Sequence, residues 1–167
     1  MRAHPLHRTS GLLTALLCCI APFSAVVADH EATTSAAEQT VTLIRTPPEV
    51  LSRQKLPNFV GISAETVGAR GLSMNLVVIP PGAAAEPHFH KGFESAVYVL
   101  EGRVETRYGL GLEESVITEA GDFLFIPPDV PHQPINLSAT EAARALGVRN
   151  APNEQEHVIL YEPSPDE

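Results

Sequence analysis

Tryptophan is absent from this sequence of 167 residues, cysteine occurs twice, and basic side chains are scarce. The 11 Lys and Arg are outnumbered by 20 Asp and Glu, which gives a formal net charge of -9. This shortage of positive charge argues against binding to nucleic acid or to anionic membrane surfaces, because both need a basic patch. Proline and glycine are plentiful, at 15 and 11 residues. Their density favours short strands joined by tight turns over long helices.

The first 28 residues are typical of a secretory signal peptide. Arg2 and Arg8 precede an apolar run over residues 11–27, and small residues lead up to Ala28. We expect cleavage after Ala28 and a periplasmic or secreted protein without membrane contact after cleavage. The alternative is an uncleaved anchor, but the run is short for a membrane span and contains Pro22.

Cleavage at this position would change the chemistry available to the protein. Both cysteines lie in the signal, and nine basic residues would remain against twenty acidic ones, a net charge of -11. The mature protein would then have no thiol for a disulfide, a nucleophile or a zinc-thiolate site. Any metal would have to be held by nitrogen and oxygen ligands.

The remaining sequence predicts one all-β domain over residues 40–162. Residues 29–39 predict a disordered leader, and residues 163–167 an acidic tail. A first strand is expected at residues 41–44, a helical turn within residues 48–55, and a strand over residues 59–67. Further short strand-like segments follow as far as residue 161, with Gly, Pro, Asn or Asp between them. This spacing indicates a sandwich or barrel.

Three histidines and one glutamate are the candidates for chemistry. His88 and His90 alternate along a predicted strand, so both point to one face, and Glu94 has the same parity. His132 follows another predicted strand and could supply a fourth ligand. These residues could also be ordinary surface or core side chains. However, burying two imidazoles and a carboxylate together without a cation costs a free energy on the order of several kcal/mol. This cost favours a metal site.

The sequence resembles the cupin family in two motifs. The first comprises Gly82, His88-Phe89-His90, Glu94 and Gly102. The second comprises Gly121, Pro127-Pro128-Asp129, His132 and Asn136. Both motifs stand in the family's order, and the resemblance extends over about residues 71–149.

Two positions depart from the family pattern. Seven residues instead of six separate Glu94 from Gly102, so a strict count back from the glycine would place the acid at Ser95. We assign the role to Glu94, because serine is a poor ligand and the forward count from His90 fits. Asp129 replaces a turn glycine, and we expect the turn to persist since aspartate tolerates left-handed backbone geometry.

The resemblance implies a double-stranded β-helix, or jelly-roll barrel, with His88, His90, Glu94 and His132 around one divalent transition metal. Mn and Fe are favoured, and Ni, Co, Cu and Zn are also compatible with these ligands. Glu94 would either stay on the metal or take a proton as the catalytic base. A homodimer through edge strands is implied by the same analogy.

Other side chains have weaker indications. Tyr98, Gln133 and Arg149 are candidates for a substrate pocket. Met74, Phe123 and Phe125 are expected in the core.

Three functions remain open from the sequence. The first is a metal-dependent oxygenase acting on a small oxygen-rich substrate such as an enol, a diketone or a carboxylate. The second is a non-enzymatic periplasmic protein that binds a sugar or another small ligand. The third is a metal-dependent isomerase or lyase. The first is favoured because open positions beside three histidines suit dioxygen, although it rests on family analogy.

Overall fold

The computed structural model describes residues 40–153 and 155–163. The predicted signal peptide and leader, and residues 164–167 of the predicted tail, lie outside the described residues. Within the described residues, no helix has the length and apolarity needed to cross a membrane.

Over these residues the chain forms eleven strands and one four-residue helix. Their bounds are β1 (Glu49–Leu51), β2 (Pro57–Ile62), α1 (Ala64–Val67), β3 (Ser73–Ile79), β4 (His88–His90), β5 (Ser95–Glu101), β6 (Arg103–Tyr108), β7 (Glu114–Glu119), β8 (Phe123–Ile126), β9 (His132–Asn136), β10 (Ala143–Arg149) and β11 (Val158–Leu160).

The strands form two antiparallel sheets. The first has the order β1-β2-β3-β10-β5-β8, and the second has the order β11-β4-β9-β6-β7. From β3 onward the chain passes repeatedly from one sheet to the other, with only β6 and β7 as consecutive strands of one sheet. This winding is a double-stranded β-helix, so the predicted all-β jelly roll is confirmed.

A hydrophobic cluster contains residues from both sheets. It comprises Leu56, Ile79, Ala85, Val104 and Ala143, all of them buried. Gly102, in the turn between β5 and β6, has φ +86° and lies so close to Ala143 that a Cβ atom there would be 2.8 Å from the Ala143 Cα. Only glycine satisfies both the backbone angle and this contact.

Three expectations about local structure were wrong. Residues 41–44 form no strand, and the helical turn expected within residues 48–55 is replaced by β1, which pairs with β2. The strand expected over residues 59–67 ends at Ile62, because Ser63 and Thr66 form a capping box that begins α1.

Phe123 and Phe125 are not core residues. They are 82% and 60% exposed, whereas Leu124 and Ile126 on the same strand face the space between the sheets. Side chains alternate along β8, but Leu124 and Ile126 face inward and the two larger phenylalanines face outward, the reverse of what was expected.

Candidate metal centre

The three predicted histidine ligands lie together between the sheets. His88 and His90 are two residues apart on β4 and share its inner face, and His88 pairs directly with His132 on the neighbouring strand β9. The ring centroids are 4.3 Å apart for His88 and His132, 5.0 Å for His90 and His132, and 5.1 Å for His88 and His90. One nitrogen from each ring lies within 4.8 Å of the other two, and all three side chains are buried.

Backbone carbonyl groups orient two of the rings in the same way. Nδ1 of His88 is 2.8 Å from the Glu86 carbonyl oxygen, and Nδ1 of His132 is 2.9 Å from the Val130 carbonyl oxygen. In each case Nδ1–H donates to the carbonyl two residues earlier, so the proton is on Nδ1 and the lone pair is on Nε2. This type of second contact fixes the tautomer of metal-binding histidines.

Burial keeps the imidazoles neutral. Desolvation lowers the pKa of His88 to about 3 and of His132 to about 4. The pKa of His90 is also lowered, first by burial and then by the nearby positive charge of Arg149. All three rings are therefore unprotonated at neutral pH, which is the state a metal ligand requires.

This donor set fits a divalent transition metal. Three neutral nitrogen atoms converge, two of them fixed by carbonyl groups, and His90 Nδ1 is buried with no hydrogen-bond partner among the described residues. Imidazole nitrogen suits Mn, Fe, Co, Ni, Cu and Zn, so the ligands do not select one of these ions.

The structure does not bring Glu94 to the histidines. Its side chain is exposed, and its Oε2 accepts a hydrogen bond from Nδ2 of Asn150 at 3.2 Å. The parity argument was wrong here because residues 91–94 form a turn with Gly92 at φ +75°. Asp129 accepts a hydrogen bond from the Gly92 N–H and itself has φ 60°, so its expected tolerance of left-handed geometry is confirmed.

Ser95 occupies the inward position that Glu94 was expected to take. Ser95, Val97 and Val99 of β5 line the space between the sheets, which places the even-numbered side chains of the strand on the outer face. The count back from Gly102 had indicated position 95. The preference for Glu94 depends on serine being a poor metal ligand, and the inward position is nevertheless that of Ser95.

Arg149 completes this side of the cluster. It pairs with Ser95 across β10 and β5, and its Nε donates to Ser95 Oγ at 3.2 Å. Its Nη2 lies 3.1 Å from Nε2 of His90. A guanidinium and a hydroxyl therefore lie beside the histidines where the sequence predicted a carboxylate.

The histidines line a cavity of about 110 Å³ with an apolar wall. Both sheets contribute, and the lining includes Leu56, Val77, Ile79, Val97, Val99, Val104, Leu124, Ile126, Ala145 and Val148. Among the described lining residues there is no Asp or Glu, and Arg149 is the one residue that is charged at neutral pH. The cavity thus offers an apolar chamber beside the histidines and the arginine.

The three weaker candidates separate into two groups. Arg149 lines the cavity. Tyr98 lies on the outer face of β5, where it packs against Phe123 with ring centroids 4.7 Å apart. Gln133 donates from Nε2 to the Ala85 carbonyl oxygen at 2.9 Å and does not line the cavity.

Sequence reasoning missed several polar residues of the cavity wall. Gln54 and Asn75 contribute carboxamides, and Gln54 Oε1 is buried with no hydrogen-bond partner among the described residues. Asn75 donates from Nδ2 to Asn58 Oδ1. Gln54 lies before the first motif, in a segment expected to be helical, so no sequence signal connected it to the site.

Comparison with known proteins is consistent with this geometry. The family model for the cupin domain matches residues 75–149. Quercetin 2,3-dioxygenase of Escherichia coli (strain K12) is 34% identical over 108 residues, which cover 64% of this chain and 43% of that protein. The chain thus spans less than half the length of this relative.

Solved structures show the same fold. The polyketide cyclase RemF from Streptomyces resistomycificus has a TM-score of 0.54 at 25% identity, over 74% of this chain and 80% of that chain. Oxalate decarboxylase from Lactobacillus farciminis, solved as a formate complex, has a TM-score of 0.59 at 21% identity, over 68% of this chain and 33% of that chain. Together with the two motifs and the jelly roll, the domain match makes this protein a cupin with a three-histidine metal-binding group in its barrel.

Proposed function

We propose that the protein is a metal-dependent enzyme of the oxygenase type that acts on a small, enolisable, oxygen-rich molecule. One observation carries this proposal: three buried, neutral histidines converge at the wall of an apolar cavity. A binding site with an apolar wall and a few convergent polar groups is the usual form of a small-molecule site.

The residues of the chain have separate tasks in this proposal. His88, His90 and His132 would hold one divalent ion. When bound, that ion would supply Lewis-acid polarisation of a substrate oxygen. The aliphatic wall would exclude water and bind the apolar part of the substrate. Glu94 receives no catalytic step, because its carboxylate is exposed and bonded to Asn150.

The similarity to quercetin 2,3-dioxygenase supports oxygenase chemistry. A second candidate is a non-oxidative reaction of a polarised carbonyl compound, such as a lyase or cyclase. The similarity to the cyclase RemF supports it, since that chain is matched over most of its length. Mn and Fe remain the favoured ions under the first proposal, because they bind both imidazole and dioxygen.

Oxygen consumption distinguishes these functions. The protein would be loaded separately with Mn, Fe, Co, Ni, Cu and Zn and tested against enols, 1,3-diketones and flavonols in an oxygen electrode, with substrate loss followed by chromatography. Oxygen uptake that matches substrate loss supports the oxygenase. Substrate loss without oxygen uptake supports the lyase or cyclase, and binding without turnover contradicts both enzymes.

We also propose that the protein acts outside the cytoplasm and forms a homodimer. Export is supported by the sequence of residues 1–28, and the dimer by analogy with cupins. Mass spectrometry of the N-terminus from the native host would reveal cleavage after Ala28. Light scattering would give the oligomeric state.

A further inference from the structure

We propose, on the basis of the metal-dependent function above, that the substrate has an aromatic ring system and that a groove beside His132 binds those rings. The groove is separate from the cavity between the sheets, but the two have part of their walls in common. The substrate would lie with its rings in the groove and its oxygen-bearing end at the histidines.

The groove lies where the two sheets end. β8 is the last strand of one sheet, and β7 is the last strand of the other. Residues of both edge strands and of the segments beside them line a groove of about 490 Å³. Its own lining includes Tyr108, Val116, Phe125, Pro127 and Val130. Val116 and Phe125 are exposed, so the groove opens to solvent.

The groove reaches the candidate metal centre through His132. Leu124, Ile126 and His132 line both the groove and the cavity, whereas His88 and His90 line the cavity alone. The two spaces are therefore divided by these shared side chains. A ligand in the groove would contact one of the three histidines that could hold a metal ion.

The sizes of the two spaces decide where a large substrate would lie. A cavity of about 150 Å³ holds one benzene molecule, and the cavity between the sheets has a volume of about 110 Å³. Sites for small molecules usually measure about 300–1,000 Å³, and the groove falls within this range. The cavity can thus take the reacting end of a substrate, while a system of two or more rings needs the groove.

The composition of the groove favours uncharged aromatic rings. No Asp, Glu, Lys or Arg stands among its described lining residues. Tyr108, Phe125 and Pro127 contribute flat side chains to its wall, and Val116 and Val130 contribute aliphatic ones. Aromatic side chains bind other rings in offset-stacked or edge-to-face arrangements, which adds to the gain from burying apolar surface.

The wall of the groove beside the histidines is held by the backbone. The Asp129 N–H donates to the His90 carbonyl oxygen at 3.1 Å, and the Gly109 N–H donates to the Pro131 carbonyl oxygen at 3.1 Å. Val130 lies between these two anchored positions. A ligand would therefore meet a preformed wall, and binding would need no ordering of this segment.

A pair of ligands with one skeleton tests the preference for rings. 2-Naphthol and decahydro-2-naphthol carry the same hydroxyl group, but only the first is aromatic. Burial of apolar surface alone favours the saturated compound, because it is the more hydrophobic of the two. Each would be titrated by calorimetry into zinc-loaded and metal-free protein of full length. We expect 2-naphthol to bind at one site in both forms, roughly threefold or more tightly than the saturated compound.

Two pairs of variants test the place of binding. The chain has no tryptophan, so Val116→Trp introduces a single indole that fills the groove and should weaken 2-naphthol binding roughly tenfold or more. Ile117→Trp is its control, because Ile117 is exposed on the same strand and does not line the groove. Phe125→Ala should weaken binding roughly threefold to tenfold by removing one aromatic contact. Its control is Phe123→Ala, since Phe123 is also exposed and lies outside the groove.

Imidazole proton spectra locate the ligand directly. The ring current of 2-naphthol should shift the C–H resonances of His132 more than those of His88, which lines only the cavity. His157 packs against Phe93 and should not shift. A shift of His88 that exceeds the shift of His132 would place the ligand in the cavity and overturn the role of the groove.

The remaining outcomes separate the groove from the function on which it rests. Zinc-loaded protein that binds both naphthols equally, or folded Phe125→Ala protein that binds 2-naphthol as tightly as the unchanged protein, overturns the aromatic site and leaves the metal-dependent function intact. Protein that binds no metal but keeps the preference for 2-naphthol overturns that function and retains the aromatic site. If Val116→Trp fails to fold, Phe125→Ala and Phe123→Ala decide the question.

Discussion

Nη2 of Arg149 lies 3.1 Å from Nε2 of His90, so an arginine contacts one of the three histidines that could hold a metal ion. The positive charge also opposes a cation directly, just as it helps to lower the pKa of His90. We therefore expect Arg149 to limit the affinity of the histidines for a metal ion.

Replacing Arg149 should therefore tighten metal binding in the absence of any anion. We expect Arg149→Gln to bind Zn about tenfold more tightly or more, because one positive charge beside His90 is removed. Competition with a chromophoric chelator in a non-coordinating buffer would measure the change. Glu94→Gln serves as the control. Equal or weaker zinc affinity in Arg149→Gln would contradict the expectation that Arg149 weakens metal binding.

Loss of His90 should abolish stoichiometric metal binding. His90→Ala leaves two ligands of the three, and we expect metal affinity to fall by about a hundredfold or more, together with the stabilisation that metal gives to the folded state. Elemental analysis and thermal melts with and without metal would measure both effects. The matched control is His157→Gln, because His157 packs against Phe93 and lies outside the cluster. Full metal content in His90→Ala would refute the ligand assignment.

Substitutions at Glu94 and Ser95 test which of these two positions faces the three histidines. We expect Glu94→Gln to retain its metal content and to lose at most about 1 kcal/mol of stability, the value of one exposed hydrogen bond to Asn150. Ser95→Glu places a carboxylate on the inner face and should raise metal affinity. The measurement is elemental analysis after dialysis against a weak chelator. Metal loss in Glu94→Gln would restore the assignment made from the sequence.

The metal-free protein should lose stability as the pH falls below 6.5. The pKa values of His88 and His132 in the folded protein are lowered to about 3 and 4 from 6.5, and that of His90 is also lowered. Between pH 6.5 and the lowered pKa values, the histidines are protonated in the unfolded chain and neutral in the folded protein. Acidification in this range therefore favours unfolding. Within this window each histidine should lower the free energy of unfolding by about 1.4 kcal/mol for each pH unit of acidification. Its contribution to stability is fully present above pH 6.5.

Denaturant unfolding at pH 7.0, 6.0 and 5.0 after removal of metal would measure this slope. His132→Asn should reduce this slope by about one histidine's share. A stability that is flat between pH 7 and pH 5 would show that the folded protein takes up protons as readily as the unfolded chain, contrary to the lowered pKa values of the buried histidines.

The spacing of the strand-like segments predicted a sandwich or barrel, and the resemblance to cupins implied the jelly roll and the three histidines. Strand alternation brings His88 and His90 to one face, and the second motif brings His132 to the neighbouring strand. The same alternation could not place Glu94, because side chains alternate between the two faces only along an uninterrupted strand. The turn at Gly92 interrupts the strand, so the odd-numbered residues face inward beyond it. The count back from Gly102 runs along β5 without interruption and leads to Ser95, the position that faces the cavity.

Arg149 was recognised only as a weak candidate for a physical reason. Its contact with His90 joins residues 59 positions apart. It depends on the pairing of β10 with β5 and on the cluster across the barrel, neither of which follows from local pattern. For the same reason Gln54 gave no signal, since it reaches the cavity from a segment before the first motif.

The most direct test of the three-histidine site is an anomalous-difference map from a crystal of the zinc-loaded protein. We predict one strong peak about 2.0–2.1 Å from a nitrogen of each of His88, His90 and His132, with the carboxylate of Glu94 still hydrogen-bonded to Asn150. A peak ligated by Glu94, or no peak among the three histidines, would contradict the site described here.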